Sequence, residues 1–321
     1  KTCEINCSCI INATGANVDN MRALDDKNAQ EILALSSGIH IVVSKDFLFS
    51  NEALLIPNTS DGRIIFILPY LNHCLIGTTD NKCEYDENIK AKDEEIKYLL
   101  DEVNIYFTKP LKKEDILSSW SGIRPLIKSA NTSNTQEIVR EHLIISSKNG
   151  LISIAGGKWT TYRKMAQDMM DFLVDKNYLE KRKSCKTKKY KLAGNEEKHK
   201  DLEKLISFYA ISKSTKESLI MLYGNNATVV LNIASELNNF ELINENLPYL
   251  KAEIIYCIEY EFVKKPIDFL SRRIGICFLN KEASIDSVDA VCLEMGKLYN
   301  WDDERLEKEI AECKEYIYKN F

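Results

Sequence analysis

Nowhere in these 321 residues does a Gly-x-Gly-x-x-Gly segment follow a strand pattern. The fingerprint that seats a dinucleotide pyrophosphate on a helix N-terminus is therefore missing. Histidine is scarce, at four, and none of the ten cysteines forms a Cys-x-x-Cys pair. Both scarcities argue against a zinc site, and no metal is expected. Several cysteines, Cys257 and Cys277 among them, fall on apolar faces and read as buried thiols in a reducing compartment. No run of 18 apolar residues occurs, so no membrane-spanning helix is expected. Excess positive charge is lacking too. The formal net charge is −5, which argues against general nucleic-acid binding. What remains is ordinary for a globular chain: 45% apolar residues, over a length that suits two domains.

One stretch carries the most information: Ile154-Ala-Gly-Gly-Lys-Trp-Thr-Thr-Tyr-Arg163. The apolar run Leu151 to Ala155 reads as a buried strand, ended by Gly156-Gly157. From about Thr160 a helical pattern follows, with Met165, Met169, Phe172 and Leu173 three and four residues apart. Paired glycines remove Cβ atoms where backbone must approach a ligand closely. The free N–H groups and positive dipole end of the helix then face that ligand, and Lys158 adds a whole charge. Such a site suits an anion, or a ring on which negative charge develops. A close strand-to-helix crossing is the plainer alternative.

Residues 1 to about 180 are rich in strand signals. Ile39 to Val43 alternates His40 with apolar neighbours. Arg63 to Pro69 and Cys74 to Thr79 form a hairpin around Leu71-Asn72. Leu143 to Ser147 and Leu151 to Ala155 form another across Asn149-Gly150, a type I′ signature. Asp93 to Phe107 is a helix with Ile96, Leu99, Leu100, Val103 and Phe107 on one face. Residues 181 to 191 hold seven basic side chains in eleven. They read as a solvated linker, or as a contact for anionic lipid headgroups. From about 195 the pattern is helical. Ser214 and Asn226 are expected to cap helices through Gly224 and Leu237. Pro248 suits a first turn before Tyr249 to Glu261, Ser284 caps 285 to 299, and Trp301-Asp302 opens the last helix. Arg272-Arg273 is expected to pin this helical part to the rest by ion pairs.

The Gly-Gly-Lys turn has company in a fixed order. Ile10-Ile-Asn-Ala-Thr-Gly15, Gly38-Ile-His-Ile-Val-Val43, Ile56-Pro-Asn-Thr-Ser-Asp-Gly-Arg63 and Leu75-Ile-Gly-Thr-Thr-Asp80 precede it. So do Trp120-Ser-Gly-Ile-Arg-Pro-Leu126 and Ile138-Val-Arg-Glu-His142, and Leu270-Ser-Arg-Arg-Ile-Gly275 follows. The set resembles the FAD-dependent glycerol-3-phosphate dehydrogenases nearly end to end. Ala16-Asn17 departs from the family's usual Pro-Trp or Ala-Trp, and Asn58 stands where His is common. In the family the pyrophosphate fingerprint lies upstream of the Asn-Ala-Thr-Gly strand. The chain is thus expected to be a C-terminal fragment of a longer enzyme.

The resemblance implies an α+β fold: part of a flavin and substrate domain with a mostly antiparallel sheet, then an all-α C-terminal domain. The expected divisions are 1–180, a basic linker over 181–195, and 196–321. It implies oxidation of glycerol 3-phosphate, with electrons passing to a quinone at a membrane. That membrane is the mitochondrial inner membrane or the bacterial cytoplasmic membrane, met peripherally. Assembly is left open, a homodimer included. An oxidase using oxygen, or a non-catalytic phosphate-binding module, are the alternatives. By the same resemblance Arg124 and Arg140 contact the substrate, His40 accepts the hydroxyl proton, and Lys158 stands at the flavin edge. Thr14, Gly15, Gly156, Gly157, Trp159 and Thr160 border the cofactor. Within the Ser-Gly-Ile-Arg-Pro segment, Gly122 is expected to allow close approach at Arg124.

Overall fold

The computed structural model describes residues 3–48, 52–128, 142–180, 183–195 and 202–321. Among them the strands are β1 (Ile10–Asn12), β2 (Leu33–Ser44), β3 (Leu54–Ile56), β4 (Ile65–Tyr70) and β5 (His73–Gly77). Then come β6 (Asn81–Lys82), β7 (Ile116–Ile127), β8 (His142–Ser146) and β9 (Leu151–Gly156). Three helices lie among the strands or just after them: α1 (Val18–Asp25), α2 (Asp93–Asn104) and α3 (Tyr162–Asp175). The rest is helical: α4 (Leu202–Ser207), α5 (Lys213–Tyr223), α6 (Ala227–Glu236), α7 (Lys251–Glu261) and α8 (Pro266–Arg272). It closes with α9 (Ile276–Leu279), α10 (Lys281–Tyr299) and α11 (Asp303–Asn320). No helix among the described residues is long and apolar enough to cross a membrane. The expected α+β class, with an antiparallel sheet and a helical C-terminal part, is what forms.

Contacts group the chain into two compact units that interleave in sequence. One holds 1–39, 78–89 and 121–190; the other holds 40–77, 90–120 and 191–321. The division falls inside β2 and β7.

In the first unit, β9 lies between β1 and β8, parallel to β1 and antiparallel to β8. Alternation along β9 sorts its two faces. Ile152 and Ile154 pack with Met169 and Leu173 of α3, while Ala155 packs with Val18 of α1. A strand covered on both faces reads as a continuous apolar run, as this one did. The β8–β9 connection is not the expected type I′ turn. Only Gly150 takes a positive φ (+95°), and its N–H closes the turn on the Ser147 carbonyl. Asn149 donates its side-chain amide to the Asp25 carbonyl instead. The doubly left-handed turn occurs at Leu71 (φ +46°) and Asn72 (φ +63°), without a glycine.

The second unit contains the antiparallel order β3-β4-β5-β2, with residues 40–44 of β2 opposite β5. Leu71, at the tip of the β4–β5 hairpin, packs against the helical core of α5 to α11. That anchor offsets its unfavourable φ and draws the hairpin into the helical unit. Ser118 Oγ does the same for β7, donating to the Cys277 carbonyl at 2.7 Å.

Several helix starts differ from expectation, each for a local reason. Ser212, not Ser214, caps α5 by accepting the Thr215 N–H. Asn226 precedes α6 but turns its amide to the Tyr256 hydroxyl. Pro248 lies outside α7 because Leu250 is held in a bridge to Leu242. Asn280 caps α10, and Ser284 is buried inside it. Asp302 caps α11 as expected. Arg272 and Arg273 pair with Asp268 and Glu261. These are pairs within the helical segment rather than the inter-domain pins expected.

Glu253 is wholly buried in α7, accepting the Tyr223 hydroxyl (2.9 Å) and the Leu250 N–H (2.6 Å). Burial pushes its carboxyl up from the usual 4.5 to about 8, against the lowering effect of those donors. Its folded-state pKa thus exceeds the unfolded one. Stability tied to the neutral acid is fully present below pH 4.5 and is lost as pH rises toward 8. Glu253→Gln removes this titration. Relative to the variant, the wild type is expected to lose up to about 1.4 kcal/mol per pH unit across that window. Equilibrium urea unfolding at pH 5, 6.5 and 8 checks this, and parallel pH dependences contradict it.

Candidate active site

β1 and β9 run side by side, with Ile10, Ile11 and Asn12 opposite Leu151, Ile152 and Ser153. At their carboxyl ends stand Thr14-Gly15 and Gly156-Gly157. The crevice outside the carboxyl ends of parallel strands is where such sheets receive ligands. Gly15, Gly156 and Gly157 all have left-handed φ, at +61°, +72° and +80°. A Cβ built on Gly15 would meet nothing within 4 Å, so open space lies over it. A Cβ on Gly157 would lie 2.5 Å from Met165 Sδ, so this glycine lets α3 close onto the turn.

Asn12 fastens this corner, and the sequence reading gave it no role. It is buried, donating from Nδ2 to the Val18 carbonyl (3.0 Å) and Ser153 Oγ (3.2 Å). Its Oδ1 accepts the Thr14 hydroxyl at 2.7 Å. One side chain thus ties the ends of β1 and β9 to the start of α1. The available signal was a polar residue closing an apolar strand.

After the glycines, residues Trp159–Thr161 form one 3-10 turn leading into α3. The Lys158 N–H reaches Thr161 Oγ1, whose hydroxyl donates to the Lys158 carbonyl. Lys158, Trp159, Thr160 and Thr161 are exposed, the indole 90% so. The Lys158 ammonium makes no ion pair with a described residue. Beside the turn, His142 Nε2 lies 3.2 Å from Asp168 Oδ2, joining β8 to α3. The hydrogen bond and charge of Lys164, with a smaller contribution from His142, hold the Asp168 carboxyl below its usual range.

Arg124, on β7 in the same unit, donates to Thr78 Oγ1 at 2.9 Å and lies 3.4 Å from Asp80 Oδ1. Ser36 Oγ bonds the same Asp80 oxygen. The guanidinium lies against Gly38: a Cβ there would sit 2.3 and 2.5 Å from its two terminal nitrogens and 2.4 Å from the Thr79 carbonyl oxygen. Gly122, expected to give this access, has nothing within 4 Å of a built Cβ. The glycine that makes room for the arginine is therefore Gly38, remote in sequence.

His40 belongs to the other unit. Its neighbours Ile39 and Ile41 are fully buried, and His40 is half-buried on the opposite face. It pairs in register with Gly77, where a Cβ would fall 2.4 Å from the imidazole Cδ2. It stacks on Trp120, 5.7 Å between ring centroids and 17° between planes. Arg140 lies outside the described residues. The Ile56 to Arg63 motif forms a knot rather than an open site. Asp61 pairs with Arg63 (2.8 Å) and accepts the Tyr98 hydroxyl (2.7 Å), while Glu102 accepts the Ser60 N–H.

A family model described as FAD dependent oxidoreductase matches residues 1–163. A second, the C-terminal domain of alpha-glycerophosphate oxidase, matches residues 185–306. The chain is 32% identical over 326 residues to a probable mitochondrial glycerol-3-phosphate dehydrogenase of Dictyostelium discoideum, spanning 99% of this chain and 51% of that protein. It is 33% identical to the mitochondrial glycerol-3-phosphate dehydrogenase of Homo sapiens, spanning 98% of this chain and 44% of that protein. The chain thus spans about half the length of the curated relatives it matches. It is similar in structure to the glycerol-3-phosphate dehydrogenase from Bacillus halodurans complexed with FAD. The TM-score is 0.79 at 29% identity, over 97% of this chain and 62% of that one.

Gly38 and Gly122 give opposite expectations for the same substitution. Gly38→Ala forces a methyl into the Thr79 carbonyl and the Arg124 guanidinium, and should cost about 1–3 kcal/mol. Gly122→Ala should stay within about 0.5 kcal/mol of wild type. Denaturant unfolding of both variants checks this, and equal costs would contradict it.

Proposed function

This chain belongs to the FAD-dependent oxidoreductase family, and from that premise we propose that it is part of a glycerol-3-phosphate dehydrogenase. Residues 1–180 are the flavin- and substrate-binding part, 181–195 a basic connector, and 196–321 a helical part. The observation that carries this reading is the crevice of left-handed glycines at the ends of β1 and β9, with Lys158 beside it.

That crevice fits a flavin. Nothing lies within 4 Å of a Cβ built on Gly15, and Gly156, Gly157, Trp159 and Thr160 would border the ring through their backbone. Thr14 is held by Asn12 at the same edge. FAD held there would supply the acceptor for the hydride from C2 of glycerol 3-phosphate.

The chain's own residues supply the rest. Arg124 clamps the phosphate, because a planar guanidinium binds two oxygens at once. Thr78, Asp80 and Gly38 hold that fork in one orientation, and fixed orientation is worth a large part of a rate enhancement. Arg140 joins it on the strength of its sequence motif. His40 takes the C2 hydroxyl proton on an imidazole nitrogen as the carbonyl of dihydroxyacetone phosphate forms. Lys158 places a positive charge where negative charge grows on the reduced ring.

Electrons then pass to a quinone, and the enzyme meets the mitochondrial inner membrane peripherally. The mitochondrial names of its relatives support the organelle. The test uses the full-length, flavin-loaded enzyme without oxygen. Glycerol 3-phosphate should bleach the flavin absorbance while glycerol, lacking the phosphate, should not. Arg124→Ala should lower kcat/KM roughly 10- to 150-fold, mostly through KM, as a charge-assisted contact of about 1.5–3 kcal/mol implies. Equal bleaching by glycerol, or wild-type kinetics in Arg124→Ala, would overturn the assignment.

A further inference from the structure

We propose that Phe278, in the helical part of the chain, is a positioning residue for His40 and acts through Trp120. The functional half of this inference rests on the reading of His40 as proton acceptor.

The imidazole of His40 has a defined seat. On one side Gly77, its register partner on β5, leaves only bare backbone against the ring. On the other side Trp120 of β7 stacks on it, 5.7 Å between centroids and 17° between planes. Offset stacking of this kind limits ring rotation and tilt. A stack orients a ring only if the stacking partner is itself held. Trp120 is held by Phe278 of α9, edge-on at 5.2 Å and 86°. Phe278 in turn meets the ring of Phe321 at 4.9 Å and 90°.

A second, independent contact keeps this register. Ser118, two residues before Trp120 and buried, donates its hydroxyl to the carbonyl of Cys277, the residue before Phe278. Strand β7 and helix α9 therefore cannot slide past each other without breaking a buried hydrogen bond, a loss of about 1–3 kcal/mol. The row Gly77–His40–Trp120–Phe278 runs from sheet to helix within one compact unit. Every member except Phe278 stands on β2, β5 or β7, so the helical part supplies the outer wall of the seat.

This gives the helical part a role beyond stability. It fixes the angle at which the imidazole nitrogen meets a proton. Misplacement by about an ångström can cost on the order of a hundredfold in rate while leaving binding intact.

The experiment compares Phe278→Leu, Phe278→Tyr and Trp120→Phe in the full-length, flavin-loaded enzyme. Two readouts are taken besides thermal midpoint: steady-state kinetics, and the imidazole resonances of histidine-labelled protein. Four histidines lie in this segment, and His40→Gln identifies the His40 signal by its loss. Phe278→Leu should move the His40 resonance and lower kcat roughly ten- to a hundredfold, with KM within twofold. Phe278→Tyr, which keeps the edge contact, should restore both. Trp120→Phe keeps a ring beside His40 but shortens the reach to Phe278, and should fall between. An unmoved His40 resonance in Phe278→Leu would overturn the proposal. So would a kcat loss that Phe278→Tyr fails to restore or that simply follows the thermal midpoint. A moved resonance with wild-type kcat would leave the seat standing and overturn the proton-acceptor reading of His40 on which the functional half rests.

Discussion

The parallel pairing of β1 with β9 is the constraint on which the rest of the candidate site depends. These strands are far apart in sequence, with Ile10 set opposite Leu151. Only their alignment brings the Thr14-Gly15 corner beside the Gly156-Gly157 turn. The pairing is fixed from both faces, by Val18 against Ala155 and by Met169 and Leu173 against Ile152 and Ile154. Asn12 then closes the end of the pair through hydrogen bonds to both sides. A buried amide with its partners in place specifies one register, because a slipped strand would leave it unsatisfied.

The two arginine and histidine seats follow a related logic. In each, a glycine on a neighbouring strand supplies the space and a polar or aromatic side chain supplies the orientation. For Arg124 these are Gly38 with Thr78 and Asp80. For His40 they are Gly77 with Trp120. Because a strand places successive side chains on opposite faces, His40 points away from the buried Ile39 and Ile41. Asp80 lies close enough to neutralise Arg124 in part. A dianionic phosphate would therefore bind a pre-oriented fork rather than a mobile one.

Much of this was legible in the sequence, and the limits have physical causes. The Gly-Gly-Lys turn, the helix after it and the alternation around His40 depend on neighbours in sequence, and period and glycine placement reveal them. The roles of Gly38, Gly77, Asn12 and Trp120 depend on strands that meet only in the fold. Gly122 was credited with the space beside Arg124 because it was adjacent in sequence, while the space comes from across the sheet. Helix caps failed for a similar reason. Ser214 and Ser284 have the right chemistry, but Thr215 finds Ser212 and Ala283 finds Asn280. The interleaved units follow from Leu71 and Ser118 reaching into the helical core, which no local pattern announces.

The central claim is that the Gly156-Gly157 turn and Lys158 stand at a flavin. Lys158→Met keeps the side chain's length and removes its charge. If the ammonium faces the ring that gains negative charge, the substitution must make that ring harder to reduce. A loss of about 1–2 kcal/mol corresponds to a fall of roughly 20–45 mV in a two-electron midpoint potential. Potentiometric titration of the full-length enzyme and its Lys158→Met variant measures this directly. The account predicts the lower potential in the variant. An unchanged potential would place Lys158 away from the flavin and leave the glycine turn as strand-to-helix packing.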